Sequence, residues 1–132
     1  MGIQSICVGT KRREEMVDIT NLVRACVLES GISEGTCLIY CPHTTSGIAI
    51  NENADPDVTR DILAGLAKIA PLSGGYAHSE GNSDAHIKAC LVGSSQQVII
   101  HQGKLLLGTW QGIYFCEFDG PRSRQVHVRC SA

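Results

Sequence analysis

The sequence predicts a single α+β domain, mostly antiparallel β-sheet in a sandwich-like arrangement, covered by two main helices. Three observations predict it. The chain has 132 residues, enough for one ordinary core and too few for two domains. Two stretches repeat apolar residues at helical spacing, each beginning at an aspartate and ending at Gly or Pro. Most of the remainder is short β-prone runs divided by turn residues. Residues 1–132 form one unit, with no repeat, low-complexity tract or linker.

The first helix is expected over Asp18 to Ser30, where Ile19, Leu22, Val23, Cys26 and Val27 recur at helix spacing, with Asp18 as cap and Gly31 as stop. Strands follow at Thr36–Cys41 and Gly47–Asn51. A second helix starts at Asp55-Pro56, because Asp caps well and Pro lacks only an N–H that would be orphaned there. Val58, Ile62, Leu66 and Ile69 line one face of it, and Pro71 stops it. A shorter third helix covers Ser83 to Leu91 and ends at Gly93. Gln97–His101 and Lys104–Leu107 flank Gln102-Gly103 as a hairpin. Ile113–Phe118, a turn at Asp119-Gly120-Pro121 and Arg124–Cys130 complete the chain. In that last strand Val126, Val128 and Cys130 alternate with Gln125, His127 and Arg129, so one face is wet.

Composition removes several function classes. At 43% hydrophobic and 18% charged the chain is globular rather than disordered. A net charge of −2 with no basic tract argues against nucleic-acid binding through a broad face. No run of 18 apolar residues and no signal-peptide pattern occurs, so no membrane span and a cytoplasmic location are expected. Seven scattered cysteines without a CxxC pair fit a reducing compartment, where most act as small core residues. Cys37 and Cys41 share a strand face and read as core packing before metal binding. Neither GxxxxGK[ST] nor a GxGxxG following a strand is present.

Polar residues interrupt the apolar pattern in three places: Pro42–Ser46 with Asn51–Asn53 after it, Tyr76–Lys88, and Gly108–Gly112. His43, His78 and His86 sit at element boundaries, where a scaffold can aim side chains into a common cleft. Neutral imidazole ligates zinc and similar ions, and three protein ligands with an open position describe a catalytic metal site. His101 beside a turn and His127 on the wet strand face need no such role. Glu52, Glu80 and Asp84 are carboxylates near the histidines, suited to orient them or to move protons, while Asp84 serves equally as a first-turn helix residue. Trp110, the only tryptophan, lies between glycines in GTWQG, and Gln111 beside it brings an amide that needs partners. Lys88, Arg60, Arg122 and Arg124 are cations suited to phosphate.

Together HTTSGIAINENADPDVTRDI, YAHSEGNSDAHIKACLVGSS and GKLLLGTWQGIYFCEFDGPRSR make the chain resemble the YjbQ-like family, described as secondary thiamine-phosphate synthases. The resemblance runs from about His43 to Arg129 and implies a compact YjbQ-like α+β fold assembled as a homotrimer. It implies metal ligation by His43, His78 and His86, with a divalent metal ion that imidazole chemistry makes zinc rather than magnesium. Asn51, Asn82, Lys88, Trp110 and Gln111 would line a pocket for a small phosphorylated metabolite, with Arg124 nearby and Glu52 or Glu80 moving protons. The family reaction joins a pyrimidine pyrophosphate to a thiazole phosphate and releases pyrophosphate. A non-catalytic metal- or metabolite-binding module is the competing expectation. The chain departs from the family pattern at Ile99 and His101.

Overall fold

The computed structural model describes residues 2–132 and contains the expected α+β sandwich. In chain order its elements are β1 (Gln4–Gly9), β2 (Glu15–Asp18), α1 (Thr20–Ser30), β3 (Glu34–Tyr40), β4 (Ser46–Glu52), α2 (Pro56–Ile69), α3 (Ser83–Val92), β5 (Ser95–His101), β6 (Lys104–Leu105), β7 (Gln111–Glu117) and β8 (Ser123–Ser131). A five-stranded sheet runs β1-β8-β3-β5-β6 and a three-stranded sheet runs β2-β7-β4, all neighbours antiparallel.

The strand periodicity explains the layers. In β8, Val126, Val128 and Cys130 point inward and meet Ile6 and Val8 of β1, Cys37 and Ile39 of β3, and Ile48, Ile113 and Phe115 of the small sheet. Helix α1 closes this main core with Val23, Cys26 and Val27. The outward face of the small sheet carries Tyr114 and Cys116, covered by Ala85 and Ala89 of α3 and by Leu63 and Leu66 of α2. Burial lifts the Cys116 thiol to about 12, so it stays protonated and acts as an apolar filler.

Several expectations change in detail. Strands β1 and β2 were not anticipated: each is short, and Glu15–Asp18 has no alternation to read. Helix α1 begins at Thr20 rather than Asp18, yet Asp18 still accepts a hydrogen bond from the Thr20 N–H at 2.9 Å. Asp55 caps α2 as expected, accepting from the Asp57 N–H at 2.9 Å. That helix lies loosely on the surface. Ile69, expected on its packed face, is 68% exposed, and no α2 residue is fully buried. None of the helices among the described residues is long and apolar enough to cross a membrane.

Strand β4 pairs with β7 from Ser46 opposite Glu117 to Glu52 opposite Gln111. Six steps of ~3.3 Å separate the two ends of this ladder by about 20 Å. Gly47 sits where a Cβ would come within 2.6 Å of the Gly93 carbonyl oxygen, which lets the end of α3 close over β4. The ladder's two ends carry most of the polar residues that the sequence singles out.

Candidate functional site

At the Ser46–Glu117 end, a cleft of about 330 Å³ opens between the β3–β4 loop, the loop before α3 and the β7–β8 turn. Gly81, at φ +79°, turns the chain from Glu80 into α3. Asn82 then begins the helix, its carbonyl accepting from the Ala85 and His86 N–H groups at 3.0 and 3.3 Å. One helical turn on, His86 faces back toward the loop. Its ring meets that of His78 edge to face, with centroids 5.6 Å apart. His78 Nε2 lies 3.9 Å from Glu80 Oε1.

The β7–β8 turn brings paired charges to the same cleft. Arg122 donates from Nε to the Asp119 carbonyl at 2.8 Å and from Nη2 to Asp119 Oδ2 at 3.1 Å, with about half its side chain open to solvent. Asn82 Nδ2 donates to the same carboxylate oxygen at 2.9 Å, which ties the histidine loop to this turn. Asn82 Oδ1 is the one buried side-chain polar atom left without a partner among the described residues.

Arg124 is buried beneath the cleft. Its Nε donates to Glu117 Oε1 at 2.9 Å, and its Nη2 donates to Glu117 Oε2 and, at 2.8 Å, to Thr45 Oγ1. Glu117 also accepts from the Thr10 hydroxyl at 2.7 Å and the Asp119 N–H at 3.1 Å. Burial pushes the Glu117 carboxyl upward, but these bonds overcome it and hold the group below its ordinary value.

Behind α3 lies a second charge network. Arg13 forks onto Asp84 at 3.0 and 3.1 Å, and Lys88 Nζ bonds Asp84 at 3.1 Å and also Glu14. Lys88 is 1% exposed and Asp84 wholly buried. Burial raises the Asp84 carboxyl, and its bonds to Arg13 and Lys88 pull it below the ordinary value.

A pH dependence follows. Carboxyls whose folded pKa is depressed stabilise the fold fully above their unfolded values, about 4, and lose that contribution as pH falls through the folded ones. The melting temperature is therefore expected to fall progressively below about pH 4, and thermal scans should show a shallower fall for Glu117→Gln.

The sequence-derived site residues divide among three places. His78, His86, Glu80, Asn82 and Arg124 line the cleft, with Thr44, Thr45, Asp119 and Arg122. His43 does not line it: its Nε2 accepts the Gln125 N–H at 2.9 Å, so the proton of the neutral ring sits on Nδ1. Burial and the Arg124 charge lower the His43 pKa and favour that neutral ring. Among the described residues no three His, Cys, Asp or Glu side chains gather around one metal position.

Asn51, Glu52, Trp110 and Gln111 stand at the far end of the β4–β7 ladder. Asn51 Oδ1 accepts the Glu52 N–H at 2.7 Å, and Gln111 Oε1 accepts the Gly108 N–H at 2.8 Å. Trp110 is 63% exposed. Lys88 belongs to neither end, its ammonium enclosed by Glu14 and Asp84. Glu117, which ends a strand that otherwise reads as pure core, and Asp119 just after it were missed by sequence reasoning, and only the chain reversal at Gly120-Pro121 hints that they turn toward the histidines.

A family model described as UPF0047 protein YjbQ-like matches residues 4–132. The UPF0047 protein YugU of Bacillus subtilis is 52% identical over 96% of this chain and 97% of its own length. The UPF0047 protein MJ1081 of Methanocaldococcus jannaschii is 55% identical over 92% of this chain and 88% of its own. A crystal structure from Clostridium acetobutylicum, an uncharacterized conserved protein of the yjbq/upf0047 family, superposes with a TM-score of 0.96 at 61% identity, covering 97% of this chain and 99% of that one. A YbjQ-like protein of unknown function from Sulfolobus solfataricus gives 0.94 at 36% identity, covering 98% and 95%.

Proposed function

The chain belongs to the YjbQ-like UPF0047 family, and from that premise we propose that its histidine cleft binds a small phosphorylated metabolite with a divalent cation, as a transferase similar to secondary thiamine-phosphate synthases or a hydrolase of such a compound. One observation carries the reading: His78 and His86, ring against ring, line the same cleft as Arg122.

Each residue has a chemical part. Arg122, exposed at the mouth, supplies charge that a phosphate or a leaving pyrophosphate needs neutralised. Thr44 and Thr45 bring hydroxyls to the same cleft. Imidazoles take and give protons near neutral pH, so His78 and His86 can serve as base and acid. Glu80, 3.9 Å from His78, is close enough to accept a proton from that ring after a small side-chain movement. Asn82 joins the histidine loop to Asp119 and Arg122 and so fixes the width of the cleft.

The donor set fits zinc in kind and is incomplete in number: His78 and His86 would hold the ion, and among the described residues no third His, Cys, Asp or Glu joins them. His43 would join them only by releasing the Gln125 N–H. When bound, such an ion would act as a Lewis acid toward phosphate oxygens. Arg124 and Lys88 act through others, Arg124 by holding Thr45 and Lys88 by holding the first turn of α3 through Asp84.

The reading includes a cytoplasmic homotrimer. Within one chain the Glu52–Trp110 end stands about 20 Å from the histidine cleft. Asn51, Glu52, Trp110 and Gln111 would therefore reach the substrate only from a second copy.

The purified protein, given a pyrimidine pyrophosphate and a thiazole phosphate, is expected to form thiamine phosphate, to stop on chelation and to recover with zinc. Saturable pyrophosphate binding without turnover would instead identify a binding module. The absence of both turnover and binding would overturn the proposal.

A further inference from the structure

We infer that a second cavity, between the C-terminal half of α1 and the β5–β6 turn, binds a small carboxylate with an apolar body. It shares no residue with the histidine cleft, and the inference does not depend on the reading of that cleft.

The cavity has a volume of about 680 Å³, within the range of small-molecule sites. Its floor is apolar. Val27 lies on the main core and Leu105 packs against it, while Leu28 projects from α1 with 81% of its surface exposed. Among the described residues nothing covers that leucine. The rim is cationic on both sides, with Arg24 from the helix and Lys104 from the turn. Among the described residues neither makes an ion pair: Arg24 Nη1 donates to Asn21 Oδ1 at 3.1 Å, a neutral partner. Among the described residues no carboxylate lines the cavity. Glu34, on the neighbouring strand, is occupied by His101 Nδ1 at 2.7 Å and the Gln102 N–H at 2.8 Å.

The wall is also preformed. Gln102 and Gly103 both adopt left-handed backbone, at φ 52° and 77°, and the Gly103 N–H donates to the Ser33 carbonyl at 3.0 Å. In a chain of net charge −2, two uncompensated cations over an apolar floor select against most of the molecule's own surface and for an amphipathic anion. A carboxylate matches the fork of Arg24, and a short alkyl or aryl body displaces water from Leu28 and Leu105. Inorganic anions would leave the floor wet, and neutral alcohols would leave the cations unmatched.

Calorimetric titration of the full chain with octanoate tests this, with 1-octanol and acetate as the neutral and headgroup-only comparisons. Octanoate should bind saturably, one per chain, and at least about tenfold more tightly than either comparison. The double variant R24Q/K104Q, at two surface positions, should keep its circular dichroism and weaken octanoate by about tenfold. The variant H78A should bind octanoate as the unaltered chain does. Absence of saturation, equal affinity for octanol, or full affinity in R24Q/K104Q would overturn the inference.

Discussion

Lys88→Met is expected to lower the unfolding free energy by about 3–5 kcal/mol, the cost of leaving a buried charge uncompensated. The side chain is 1% exposed, and its ammonium answers both Asp84, which no solvent reaches, and Glu14. With Arg13 the four groups balance as two cations and two anions. Removing Lys88 leaves two carboxylates to share one guanidinium. Methionine keeps most of the volume, so the loss reports charge rather than a cavity. Urea denaturation measures it, and adding Glu14→Gln should recover part of the loss by restoring neutrality. A change below about 1 kcal/mol would show that water reaches the network and screens it. Functionally, Asp84 is in the first turn of α3, between Asn82 and His86, so the variant should also weaken whatever the cleft binds.

His86→Ala is expected to cut turnover by about 10²–10⁴-fold, the usual worth of a positioned acid or base, and to lower bound zinc. The same change at His78 should have a similar effect, because each ring is held against the other. Both rings are partly open to solvent, so the melting temperature should move little. His43→Ala separates two accounts. If His43 only receives the Gln125 N–H, zinc content is unchanged; if it releases that bond to complete the metal set, zinc is lost with it. Steady-state assays and metal analysis on the three variants check these outcomes. Full activity and full zinc in both His78→Ala and His86→Ala would contradict the reading of the cleft.

The fold was legible wherever local chemistry decides it. Asp55-Pro56 begins α2 as its capping chemistry requires, and the alternation in β8 gives the true inner face. The edge strand β1 and the four-residue β2 were hidden because their stability comes from partners distant in the chain, Ser123–Val128 and Tyr114–Glu117. On α2, spacing named Leu66 rightly and Ile69 wrongly, and the covering of the small sheet uses Leu63 with Leu66. In the site, the pairing of His78 with His86 could be anticipated, because both belong to one segment that a helix start folds back on itself. The separation of that pair from Glu52 and Trp110 could not, because it depends on the register of β4 against β7. Lys88 reads in sequence as a phosphate ligand because the acids that enclose it include Glu14, 74 residues earlier.

The most direct test of the histidine cleft follows imidazole ring nitrogens by ¹⁵N NMR while zinc and then pyrophosphate are added. The signals of His78 and His86 should move together at the same metal concentration and again with pyrophosphate, while His101 and His127, held by Glu34 and Ser5, stay in place. If the His78 and His86 signals remain fixed while other histidines respond, the cleft is not where this protein meets its metal or its phosphate.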